Sequence, residues 1–251
     1  MKNVKTVAII PARLESSRLP GKALLKICGL PMVVHVLKRC LLSKNIHEVY
    51  VATDNEKIKR TVEKYNGNVI LTGSHHKTGT DRIAEAAEKL DAEIIVNVQG
   101  DEALVNPTYI DKVISVLHEN SDIQVSILVN QFNKRKSSSD IKVVLNENND
   151  VMYFSRTDIP SDARSENPPL LKAYHIVPFR REFLIKYSKW DKGVLEKIEY
   201  NEYLRILEKG YKIRAIQVES DAVSVDTKQD LNFVKKEMIS DPFFLKYSKE
   251  I

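Results

Sequence analysis

Cysteine is scarce: Cys28 and Cys40 are the only two in 251 residues. That is too few for a disulfide scaffold, and their spacing is not that of a zinc site. Both read as reduced core thiols of a cytoplasmic protein. Long apolar runs are missing, and none reaches the ~20 residues that span a bilayer. The opening Met1-Lys2-Asn3-Val4-Lys5 passes straight into strand-like sequence, without the apolar segment and cleavage site of a secretory signal. One-sided charge is missing too. The formal net charge is +5, but the cations are scattered, and the densest stretch, Asn133-Lys134-Arg135-Lys136, runs into three serines. Aromatic residues are not interleaved with basic ones, which argues against nucleic acid as a partner. Internal repeats and low-complexity segments are absent. What remains is an ordinary core-forming hydrophobic content of 43%, in a length that suits a single α/β domain over residues 1–251.

Through the first half, short apolar strands alternate with amphipathic helices. Val7–Pro11, Glu48–Thr53, Asn68–Leu71 and Glu93–Gln99 read as strands. Pro31–Leu42, Glu56–Tyr65, Asp81–Leu90 and a segment capped by Asn106 ahead of Pro107 read as helices. The nearly unbroken apolar run at Glu93–Gln99 suits a strand buried on both faces. This rhythm predicts a doubly wound, mostly parallel sheet with helices on both faces. After Ser121 the rhythm breaks. Asp122–Leu128, Lys142–Leu145, Met152–Phe154, Lys172–Phe179 and Tyr211–Val218 read as strands, Glu196–Glu208 and Lys228–Met238 as helices, and Asn146 to Asp150 as a hairpin turn. A smaller β-rich excursion, from about 122 to 220, is expected to carry a second substrate's pocket and a dimer surface.

Residues 9 to 22, Ile-Ile-Pro-Ala-Arg-Leu-Glu-Ser-Ser-Arg-Leu-Pro-Gly-Lys, lead from a strand into a loop with three cations, Arg13, Arg18 and Lys22. Such a loop suits a triphosphate, because backbone N–H groups and fixed cations neutralise the phosphates and make the attacked phosphorus more electrophilic. In Asn97-Val98-Gln99-Gly100-Asp101-Glu102 a carboxylate ends a buried strand, where open α/β sheets bind ligands. Asp101 either holds a hard divalent cation or caps the next element. Asp226, in Ser224-Val225-Asp226-Thr227, is either a second metal ligand or the N-cap of the last helix. Together with the cationic loop, the two carboxylates favour a metal–triphosphate site. In Lys77-Thr78-Gly79-Thr80-Asp81-Arg82, Thr80 and Asp81 mark a helix start, and Arg82 either contacts base or phosphate or is a surface charge. His75 and His76 read as part of a solvated loop, with no matching His or Cys cluster to make a metal site.

These segments, with Val51-Ala52-Thr53-Asp54 and Tyr153-Phe154-Ser155-Arg156, occur in order over nearly the whole chain. As a set they resemble the 3-deoxy-manno-octulosonate (Kdo) cytidylyltransferases, the CMP-Kdo synthetases. The resemblance implies a nucleotide-diphospho-sugar transferase-like fold. It implies a Mg2+-dependent cytoplasmic homodimer that transfers CMP from CTP to the anomeric hydroxyl of a small anionic sugar acid, a 3-deoxy-2-ulosonic acid, and releases pyrophosphate. By the same resemblance Pro11, Ala12, Arg13, Arg18, Lys22, Thr80, Arg82 and Gln99 contact the nucleotide, and Arg13, Lys22 and Asp101 act in catalysis. Asp101 and Asp226 hold Mg2+, and Gln99, Arg156, Glu202 and Tyr203 contact the sugar.

The acceptor side departs from the family pattern. Ala173 and Val177 stand where the family usually has His and Tyr, and Tyr203 where it has Gln. Losing such polar groups relaxes or redirects the choice of acceptor. Strand alternation puts Ala173 and His175 on one face, which lets His175 take over the lost contact. The expected acceptor is Kdo or a Kdo-like sugar. A modified octulosonate, a nonulosonate or a phosphonate is one alternative, and a nucleotide-binding protein without turnover is another.

Overall fold

The computed structural model describes residues 4–15, 19–219 and 223–250. The chain divides into two compact units, Met1–Asp111 with Asp221–Ile251, and Lys112–Ser220.

In the first unit, β1 (Thr6–Pro11) precedes the two-residue strands β2 (Lys26–Ile27) and β3 (Leu30–Pro31), which pair with each other. Then come α1 (Met32–Cys40), β4 (Glu48–Thr53), α2 (Glu56–Lys64), β5 (Asn68–Leu71), α3 (Gly79–Glu88) and β6 (Ile94–Val98), with α4 (Pro107–Glu119) leading onward. The strands align in parallel in the order β5-β4-β1-β6. Val7 to Ile10 of β1 and all of β6 are fully buried, as expected of central parallel strands covered on both faces. Because β1 and β6 are parallel neighbours, with Ile9 opposite Asn97, their C-terminal ends open on the same edge. The loops after Pro11 and after Val98 are thereby brought together.

The second unit holds β7 (Val125–Phe132), β8 (Lys142–Leu145), β9 (Val151–Ser155), β10 (Leu170–Tyr174), β11 (Ile176–Arg180), α5 (Arg181–Ser188), α6 (Val194–Glu199), α7 (Leu204–Glu208) and β12 (Ile213–Val218). β7 is its axis: β10 and β11 pair with it antiparallel and β12 pairs with it parallel. β8 joins β10 to β9. The expected turn after β8 closes, with Asn149 at φ 60° and the Asn146 N–H donating to the Asp150 carbonyl at 3.0 Å. Two expectations need correction. The strand expected over Lys172–Phe179 breaks at His175, so alternation cannot be carried from Ala173 across that point. The helix expected over Glu196–Glu208 breaks at Tyr200, whose left-handed φ of 49° ends α6 before α7 begins.

After the second unit, α8 (Lys228–Ile239) and α9 (Phe244–Tyr247) complete the first. Leu231, Val234 and Met238 of α8 share one buried apolar cluster with Leu19, Ile27, Met32, Ala103 and Val225. Polar groups pin the same segment to α1. The buried Arg39 guanidinium donates to Asp241 at 2.6 Å and to the Val105 carbonyl at 3.1 Å. His35 Nε2 lies 2.8 Å from the Ile27 carbonyl and Nδ1 lies 2.8 Å from the Tyr247 hydroxyl. A carbonyl only accepts, so a neutral imidazole here carries its proton on Nε2 and accepts the Tyr247 O–H at Nδ1. Among the described residues no helix is long and apolar enough to cross a membrane.

The His35 contacts have a pH consequence. Burial, reinforced by nearby Arg39, pushes its pKa from 6.5 down to about 4. A depressed folded-state pKa gives stability that is present above pH 6.5 and lost as the pH falls from there through 4. The full loss is about 3 kcal/mol. Urea unfolding between pH 7 and pH 4 should therefore show a shallower pH dependence in His35→Gln than in the wild type. Equal slopes in the two proteins would assign the acid sensitivity to other groups.

Candidate active site

Three segments far apart in sequence meet in the first unit. β1 hands over to a loop in which the Ala12 N–H donates to the Ala52 carbonyl at 2.9 Å, and Arg13 extends exposed beyond it. Arg18 lies outside the described residues. Gly21 adopts φ 68°, a left-handed conformation that glycine takes without strain, and its N–H closes the loop on the Leu14 carbonyl. Lys22 follows at the start of a 3-10 turn.

The second segment follows β6. A Cβ on Gly100 would lie 2.9 Å from the Pro11 carbonyl oxygen, so only glycine lets these two backbones approach so closely. The third segment precedes α8. The Val225 N–H donates to the Asp101 carbonyl at 3.1 Å, and the Ser224 hydroxyl donates to Glu102. Leu19, Ala103 and Val225, each within three residues of Lys22, Asp101 or Asp226, belong to the same apolar cluster. Hydrophobic burial thus fixes the backbone that aims the polar groups.

Those groups converge on one nitrogen. Lys22 Nζ lies 2.6 Å from Asp101 Oδ2 and 3.2 Å from Asp226 Oδ1, with the lysine side chain 19% exposed. Burial opposes the charge on Lys22, but the Asp101 carboxylate and then Asp226 outweigh it, and the lysine pKa is raised. The N-cap role left open for Asp226 falls to Thr227, which forms a capping box with Asp230. Two carboxylates that reach a single ammonium can also share a metal ion.

Beside this cluster, Asn97 links two expected nucleotide contacts. Its Nδ2 donates to Thr80 Oγ1 at 3.3 Å, and its Oδ1 accepts from Gln99 Nε2 at 2.7 Å. Arg82 is buried rather than a surface charge. Its guanidinium reaches Asp54 at 3.2 Å and Thr72 Oγ1 at 2.5 Å. Sequence reasoning missed Asn97 and Asp54 as partners, because the Asn97–Thr80 and Asp54–Arg82 contacts join separate elements.

In the second unit, the Arg156 guanidinium donates to the carbonyls of Glu199, Ser138 and Tyr200, while its backbone N–H binds the Glu199 carboxylate. The buried Lys142 ammonium donates to the Arg156 carbonyl and to those of Ser137 and Asp140. Glu199 and Lys142 are thus the unexpected residues that position Arg156. His175 stacks against buried Tyr203 with ring centroids 6.0 Å apart and planes 25° from parallel. Glu202 precedes that tyrosine and is half-buried, and Ala173 is fully buried in β10.

A family model described as cytidylyltransferase matches residues 7–213. The chain is 39% identical to the 3-deoxy-manno-octulosonate cytidylyltransferase of Geobacter metallireducens, over 94% of this chain and 98% of that protein. It is 37% identical to the 8-amino-3,8-dideoxy-manno-octulosonate cytidylyltransferase of Shewanella pealeana, over 93% and 98%. A solved structure of CMP:2-keto-3-deoxy-manno-octonic acid synthetase complexed with CTP matches with a TM-score of 0.91 and 36% identity, over 94% of this chain and 98% of that one. Likeness of this length and closeness, in sequence and backbone alike, means that the chain belongs to the 3-deoxy-manno-octulosonate cytidylyltransferase family.

Proposed function

We propose that this protein moves CMP from CTP onto the anomeric hydroxyl of a Kdo-type 3-deoxy-2-ulosonic acid and releases pyrophosphate. The observation that carries the proposal is the Lys22 ammonium held between Asp101 and Asp226. It joins a phosphate-binding cation to an acid pair at the C-terminal edge of parallel strands.

In this reaction the hydroxyl oxygen attacks the α-phosphorus and loses its proton to water, a new O–P bond forms, and the bond from the α-phosphorus to the oxygen it shares with the β-phosphate breaks. Negative charge builds on the departing pyrophosphate. Little covalent work falls to the protein, so positioning and charge neutralisation account for most of the rate. Arg13 and Lys22 bind the triphosphate, with the Pro11–Ala12 backbone alongside. Thr80 and Gln99, tied together by Asn97, orient the nucleotide. Arg82 supports them from its buried pairing with Asp54. Asp101 and Asp226 fit Mg2+, because hard carboxylate oxygens suit it and both already reach one cation. Bound there, Mg2+ would supply further charge neutralisation at the phosphate oxygens. Arg156, His175, Glu202 and Tyr203 are the residues assigned to the acceptor.

A shifted acceptor is the second reading. Ala173 and Val177 are buried apolar residues where the family usually has His and Tyr, and Tyr203, which stacks on His175, stands where it has Gln. The name of the Shewanella relative already specifies an 8-amino-3,8-dideoxy acceptor. Pyrophosphate release should be followed with CTP and Mg2+ against Kdo, its 8-amino-8-deoxy analogue, a nonulosonate and a phosphonate. Release with either octulosonate is the expected result. Release with only a nonulosonate or phosphonate would move the acceptor class, and no release with any anion would leave a binding protein without turnover.

A further inference from the structure

The sequence leaves His75 and His76 without a partner for metal binding, and the fold supplies one. On the loop between β5 and α3 the two imidazoles lie side by side, with ring centroids 4.4 Å apart. Glu85 reaches them from α3. The candidate ligand atoms of His75, His76 and Glu85 all lie within 4.8 Å of one another, the one such group among the described residues. We infer that these three side chains form a second cation site, for a divalent ion of the Zn2+, Co2+ and Ni2+ class, separate from the Asp101–Asp226 pair.

The donor set decides the class of ion. Two imidazole nitrogens with one carboxylate suit borderline transition metals, whereas Mg2+ and Ca2+ take oxygen ligands. The carboxylate is already aimed: Glu85 Oε2 accepts the Gly73 N–H at 2.9 Å and lies 2.5 Å from His76 Nε2. Lys89 braces the other oxygen at 3.1 Å while donating to the Leu71 carbonyl. His75 is placed by its backbone neighbour. A Cβ on Gly73 would lie 2.4 Å from His75 Cε1, so in this arrangement the ring lies against the Gly73 backbone, and a larger residue there would push it aside.

An ion would replace the His76–Glu85 hydrogen bond and draw in the exposed His75 ring, leaving the fourth tetrahedral position to water. The loop so clamped is functional. Thr72 at one end takes the Arg82 guanidinium, and Thr78 at the other caps α3. Both ends are held without an ion, and occupancy would further fasten the middle of the loop, at His75 and His76, to Glu85 on the helix that carries Thr80 and Arg82.

The test is calorimetric titration of the tag-free, full-length protein with ZnCl2, in a Cys28→Ser, Asp101→Asn background so that neither the half-buried thiol nor the acid pair competes. One equivalent should bind, and His75→Ala and Glu85→Gln should each weaken binding at least about tenfold. Excess MgCl2 should not displace the ion, and Co2+ should give the visible absorption of a tetrahedral N/O site, lost in His75→Ala. Circular dichroism verifies that the variants are folded. Absence of binding, affinity unchanged by His75→Ala, or displacement by Mg2+ would overturn the assignment.

Discussion

Asp101→Asn should lower the rate of pyrophosphate release about a thousandfold while changing CTP affinity far less. The amide keeps the shape of the carboxylate and leaves the backbone bond from Val225 to the Asp101 carbonyl untouched, so the loop stays in place. What it loses is charge. A carboxylate that holds a cation against the phosphates matters most when negative charge moves onto the departing pyrophosphate, and less when CTP merely binds. Single-turnover release measured beside equilibrium CTP binding separates the two effects. Activity within tenfold of wild type would remove Asp101 from the metal assignment. A parallel collapse of CTP binding would make it a binding residue instead.

Lys22→Met should move two quantities in opposite directions. Turnover should fall by at least about a hundredfold, because the triphosphate loses a fixed cation in a partly dry site. Affinity of the nucleotide-free protein for Mg2+ should rise severalfold, because the ammonium that bridges Asp101 and Asp226 competes for the same oxygens. The Met side chain keeps the apolar stem of the lysine, so packing is retained. Mn2+ binding read by electron paramagnetic resonance, with and without CTP, reports the second quantity directly. Unchanged or weaker ion binding in the variant would mean that the lysine and the ion do not share a seat.

The legible parts of the sequence were those with a local signature. The strands β1, β4 and β6 are short apolar runs, and the turn at Asn146 to Asp150 carries its own hydrogen-bonding side chains. The helix α5 went unread because it starts directly after β11 at Arg180, with no side-chain cap to announce it. The break at Tyr200 was equally silent, since a left-handed tyrosine has no compositional marker. In the site, residue types and loop positions could be read, and Lys22, Asp101 and Asp226 do meet in space. The partners that hold Arg82 and Arg156 could not be read. Asp54 and Glu199 are paired by tertiary packing, which leaves no periodic trace along the chain.

The first unit is discontinuous: its apolar cluster joins Leu19 and Ala103 to Val225 and α8, with all of residues 112–220 inserted between. During synthesis, the ribosome has therefore finished the inserted unit before the residues that close the nucleotide side emerge. A nascent chain halted before Asp226 lacks both the second acid and the hydrophobic clasp that aims the first. The cluster that joins Leu19 and Ala103 to Val225 and α8 therefore closes only after the inserted unit has been made.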